Sequence, residues 1–174
     1  MDKNDRVSKK IADGCGAELD SEKRAHFYDR SYKAVDGLWF LKVEERYGFE
    51  TALEIDKEVW KIMPKIQART MRSILELGND WESFEKSIIT KLTWEGFQFE
   101  VKKSPSKFQI VISECPWHNL MLNSGREKFS EKVGTAICNI EYSKWASEFE
   151  GNIKFSLETQ QCKKEEHCVL NFSK

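Results

Sequence analysis

The sequence contains no run approaching the roughly 18 consecutive apolar residues of a membrane span, so no membrane partner is expected. It also has almost no net charge. Lys and Arg number 28 against 29 Asp and Glu, leaving −1, and no basic stripe is interleaved with aromatics. The long-range attraction that a polyanion needs is therefore missing, which argues against nucleic acid. Met1 to Lys10 lack the apolar core of a signal peptide, so the expected location is cytoplasmic, where thiols stay reduced. The five cysteines are odd in number and include no C-x2-C pair, which excludes a closed disulfide framework and the spacing of a zinc ribbon. Internal repeats and low-complexity segments are absent too.

What is present is enough for one compact domain. A chain of 174 residues buries roughly two-thirds of the surface its unfolded form exposes, and six Trp and eleven Phe supply a dense core or an aromatic pocket. Residues 1–20, with Asp13-Gly14-Cys15-Gly16, are expected to form a flexible tail ahead of a single domain over 21–174. Its helical part is 21–95 and its strand-rich part 96–174. With Ser21 as N-cap, a helix is expected to Val35, with a break or a tight contact at Asp36-Gly37 before it resumes over Leu38 to Tyr47. That second piece is apolar around most of its circumference and is expected to be central. Glu50 to Met63 and Lys65 to Leu77 are separated by Pro64, which predicts a kink or two helices. Asn79-Asp80 cap a further helix over Trp81 to Leu92.

At Gly96 the periodicity changes to two. Phe97, Phe99 and Val101 alternate with polar residues, and Ser104-Pro105-Ser106 turns the chain into a second strand over Lys107 to Glu114. Asn119 to Arg126 reads as a loop and Glu127 to Glu150 as a helix. Strands then follow around Ile153, Phe155 and Leu157, and around Cys168, Leu170 and Phe172. The expected fold is α+β, with N-terminal helices packed on a four-stranded, mostly antiparallel sheet and one helix crossing between strands two and three. A right-handed crossing would make those two strands run the same way, with their C-terminal ends at one pole.

Cys115 and the turn from Cys162 to Cys168 would meet at that pole, with Cys138 on the crossing helix. Cys168 shares the parity of Leu170 and Phe172, as a core residue would. Cys115 is out of parity with Phe108, Ile110 and Ile112. Three readings are open. Cys115, Cys138, Cys162 and Cys168 form a zinc or iron site, with His118 able to replace one ligand; Cys115 is a catalytic thiolate assisted by His118; or the cysteines are buried packing residues. A second candidate is Asp56, whose carboxylate falls on the apolar stripe of its helix and needs a partner, either Arg69 or Arg72 in an internal salt bridge or water at the edge of the stripe. Alternatively it is the polar anchor of a ligand pocket lined by Trp39, Phe40 and Trp60, with Arg126 either pairing a ligand carboxylate or simply exposed.

The run Asp36-Gly37-Leu38-Trp39-Phe40-Leu41-Lys42-Val43-Glu44-Glu45-Arg46-Tyr47-Gly48-Phe49-Glu50-Thr51-Ala52-Leu53 stands with Val59-Trp60, Cys115-Pro116, Cys138 and Cys168. Together they resemble an uncharacterised family of cytosolic bacterial and archaeal proteins that looks like the L-2-amino-thiazoline-4-carboxylic acid hydrolases. Leu157-Glu158-Thr159, Cys162, Cys168 and Phe172 are more loosely similar to the 4-vinyl-reductase-type ligand-binding domains. The first resemblance implies opening of a cyclic C=N bond with cysteine as product; the second implies sensing or carrying a small molecule. The leading expectation is thus a small-molecule hydrolase with a cysteine-rich site, with or without zinc or iron. The alternative is a non-catalytic binding or sensor domain with an aromatic helical pocket, and a third reading is a module whose exposed apolar helix forms a homodimer.

Overall fold

The computed structural model describes residues 20–174; the segment before them, with Cys15 and the expected tail, lies outside the described residues. The first helix, α1 (Ser21–Tyr47), begins where the Asp20 side chain accepts from the backbone N–H groups of Glu22 and Lys23. It is 27 residues long and uninterrupted. Neither the break nor the tight contact expected at Asp36-Gly37 occurs: the helix runs on through both residues, and Gly37 has open space where a Cβ would be. Gly48, at φ +84, ends the helix and starts α2 (Phe49–Trp60). A short turn leads to α3 (Met63–Ile74), with Pro64 in its first turn, so the proline separates two helices as expected. Asp80 then caps α4 (Trp81–Trp94) by accepting from the Ser83 N–H.

The expectation that Leu38 to Tyr47 lies at the centre is corrected. Phe40 is the one buried residue of α1, whereas Phe27, Tyr28, Val35, Leu38 and Trp39 are exposed. At 3.6 residues per turn these five fall on one side of the helix, opposite Lys33, Asp36 and Phe40. Apolar residues all round therefore reflect two separate faces, one turned inward and one outward.

Strands β1 (Gln98–Ser104) and β2 (Lys107–Glu114) form the expected hairpin. The segment expected to be a loop after β2 is instead a helix, α5 (Pro116–Asn123). Pro116 presets its first turn, and the Cys115 sulfur accepts from the His118 N–H at its start. The crossing helix, α6 (Glu127–Ala146), leads to β3 (Lys154–Thr159), a short 3-10 turn at Gln161–Lys163, and β4 (Cys168–Ser173).

The sheet order is β1-β2-β4-β3 with every neighbouring pair antiparallel, so the α+β fold expected from the sequence is the one observed. Since β2 and β3 both run opposite to β4, they point the same way although β4 lies between them. Alternation puts Phe108, Ile110, Ile112, Leu170 and Phe172 on one face, where α4 and α6 cover them. Phe108 and Phe172 stack with centroids 4.9 Å apart, and Phe84 of α4 meets Phe172 edge-on at 5.1 Å. The other face is more polar, with Gln109 donating to Asn171 at 2.9 Å. Among the described residues no helix is long and apolar enough to cross a membrane.

Candidate functional site

Between the inner ends of the sheet, α6 and the roof formed by α1, α2 and α5 lies a cavity of about 340 Å³. Ile112, Leu157 and Leu170 of the sheet and Ile137 and Tyr142 of α6 form its floor and one wall; Phe40, Leu41, Trp60 and Trp117 close it from above. The two indoles meet edge-on at 6.2 Å, and Tyr32 of α1 meets Trp117 edge-on at 5.7 Å. The roof is thus held by aromatic contacts between three different helices.

The pole expected from the strand directions exists. Cys115 follows β2, Cys162 lies in the 3-10 turn after β3, Cys168 opens β4 opposite Ile112, and Cys138 comes from α6; all four line the cavity. The close approach of Cys162 to α6 depends on Gly134, since a Cβ there would stand 3.0 Å from the Cys162 sulfur. Gln160, which accepts from Thr135 Oγ1 and donates to the Gly134 carbonyl, pins the same turn to the helix.

The chemistry of these thiols is set by burial. Burial pushes Cys115 up to about 12, against the opposing effect of the His118 N–H, and it raises Cys138, Cys162 and Cys168 as well. Burial thus disfavours the thiolate form of each. Among the described residues no three or more His, Cys, Asp or Glu side chains converge as ligands for a metal ion, so the zinc-or-iron reading draws no ligand set from them. The imidazole of His118 has Ser130 as its partner, Nδ1 to Oγ at 2.9 Å, while its backbone N–H points at the Cys115 sulfur.

Of the other residues singled out in the sequence, Asp56, Trp60 and Arg126 line the cavity. Trp39 does not: it is 38% exposed on the outer side of α1, opposite Phe40, which corrects its assignment to the pocket. Neither proposed arginine reaches Asp56. Arg69 donates to Glu148 at 2.6 Å, and Arg72 donates to the Glu148 carbonyl and lies over Phe149. Arg126 is engaged within the protein, paired with Glu44 of α1 and stacked between Phe40 and Phe129.

Other residues that line the cavity carry only a weak sequence signal. Asp36 lies with Lys33 and Phe40 at three- and four-residue spacing on the cavity face of α1. Ser130, Gly134, Ile137, Cys138 and Glu141 form a similar stripe on α6, and that spacing was the available signal. Beneath the stripe, the buried Lys91 Nζ lies 2.7 Å from both Glu95 Oε2 and Glu141 Oε1. Burial opposes its charge, but the two carboxylates overcome this and raise its pKa.

Burial also lifts Asp36 to about 6. It lifts Asp56 to about 7, helped by the charge of Asp36 and opposed by the Trp60 side chain. A family profile described as "Family of unknown function (DUF6125)" matches residues 24–173. No curated protein matches the chain.

Proposed function

The chain belongs to the DUF6125 family, and we propose that it acts there as a small-molecule-binding domain whose ligand occupies the cavity between the sheet, α6 and the roof of α1, α2 and α5. The observation that carries this reading is the cavity itself. About 340 Å³ of largely apolar, aromatic-roofed space with a few inward polar groups has the size and lining typical of a ligand pocket. The rival reading, hydrolysis of a cyclic C=N or amide-like bond by Cys115, needs a thiolate. Burial works against one, holding the Cys115 thiol at about 12.

The hydrolytic reading keeps one observation in its favour, the 2.9 Å contact between His118 Nδ1 and Ser130 Oγ at the cavity wall, which resembles the first link of an activated hydroxyl. Native mass spectrometry of freshly purified protein, run beside turnover assays with thiazoline and amide substrates, separates the two. A co-purifying small molecule without turnover is the expected result. Turnover abolished by Cys115→Ala or Ser130→Ala in a folded variant would overturn the binding role.

A further inference from the structure

The charges around the cavity do not balance. Lys33 Nζ donates to Asp29 at 2.8 Å and to the Glu95 carbonyl, Arg126 is paired with Glu44, and Lys91 is shared by Glu95 and Glu141. Each cation at the cavity is thus already matched by at least one carboxylate. Two carboxyl groups are left over: Asp36 on α1 and Asp56 on α2, neither within ion-pairing distance of a cation among the described residues. Asp56 is only 5% exposed. With no cation beside it and only the Trp60 side chain as hydrogen-bond partner, Asp56 is held toward its protonated form by burial, and a cation entering the cavity would let it ionise.

We propose that the pocket selects a ligand bearing one basic nitrogen on an apolar body, such as an aralkyl or alkyl amine or an amidine, with the nitrogen held between Asp36 and Asp56 and the body against Trp60. The inference rests on the binding role proposed above. Charge-assisted hydrogen bonds from an ammonium to two carboxylates are about twice as strong as neutral ones, and the indole beside them adds a favourable surface for a cation. Both carboxyl groups are lifted by burial to about 6 and about 7, and Asp36 raises Asp56 further, so each is poised to ionise when a cation arrives. An anionic ligand would meet the opposite: two acidic groups, and an arginine already taken by Glu44. The excess of acid at this cavity is local, since the chain as a whole carries only −1.

The test uses three ligands of nearly equal shape, phenylbutylamine, phenylbutanol and phenylbutyrate, titrated into the full chain and followed by calorimetry and by the fluorescence of Trp60 and Trp117. The amine should bind about tenfold or more tightly than the alcohol, with the carboxylate weakest. Asp56→Asn should remove most of that difference while leaving the alcohol's affinity in place. Asp36→Asn, at a half-exposed position, gives a second reading should the first variant fail to fold. Equal affinity for amine and alcohol, or a preference for the carboxylate, would overturn the selectivity while leaving the binding role standing. Failure of all three ligands to bind would also overturn the selectivity, while the binding role would then be decided by the co-purifying molecule sought in native mass spectrometry.

Discussion

Asp56 places a costly carboxyl group at the wall of the cavity. In an unfolded chain its carboxyl titrates near the usual value of about 3.9, whereas burial holds it at about 7 in the folded protein. Between those values the folded state keeps a proton that the unfolded state has lost, so stability falls as pH rises through this window and levels off above it. Each pKa unit corresponds to about 1.4 kcal/mol, which puts the penalty at neutral to alkaline pH on the order of a few kcal/mol. Asp56→Asn should therefore melt higher than the native chain at about pH 8, with the gap closing toward about pH 4. A melting temperature lowered by the substitution at about pH 8 would mean that the carboxylate has a stabilising partner after all. The sequence marked Asp56 because a charge on an apolar stripe is anomalous. It could not show that Arg69 and Arg72 are both drawn to Glu148 on the far side of α3.

At the scale of elements, local signals were read well and face assignments less so. Period-two alternation, the Pro105 turn and the Asp80 cap placed the strands and α4 correctly, because each depends on neighbours in sequence. The orientation of α1 depends on what packs on either side, so apolar residues such as Leu38 and Phe40 looked alike although one is exposed and the other buried. The same limit hid α5, whose start rests on a cysteine sulfur acting as the cap.

The packing of α6 on the 3-10 turn gives an element-level test. Gly134→Ala should bring a helix-propensity gain of up to about 1 kcal/mol, set against a forced shift of the Cys162 sulfur. In the native background the two effects should leave stability unchanged or lowered. With Cys162→Ala added, the alanine at position 134 should become stabilising in denaturant melts. No difference between the two backgrounds would show that the turn moves freely and does not shape the cavity.

Across the whole molecule, the cavity and the outer stripe of α1 are two sides of one helix. Phe27, Tyr28, Val35 and Trp39, with Leu38 at the edge of the cavity, expose apolar area to solvent over the stretch of α1 from 27 to 39, about 18 Å long. This is the surface through which the homodimer expected from the sequence would form, helix against helix. Sedimentation at micromolar concentration should give a dimer that Val35→Glu dissociates without changing the far-ultraviolet spectrum; a native chain that remains monomeric would end that expectation. Because α1 also roofs the cavity through Phe40 and Leu41, such a contact would lie one helix thickness from the cavity.

The position of β4 has a consequence for how the chain is made. It follows every other strand in sequence, yet it occupies an interior place in the sheet, hydrogen-bonded to β2 on one side and β3 on the other. As the ribosome extends the chain, the β1–β2 hairpin can form early. The inner edges of β2 and β3 stay unpaired until β4 joins them. The cavity, whose floor includes Leu170, is therefore completed only once β4 has been added between β2 and β3.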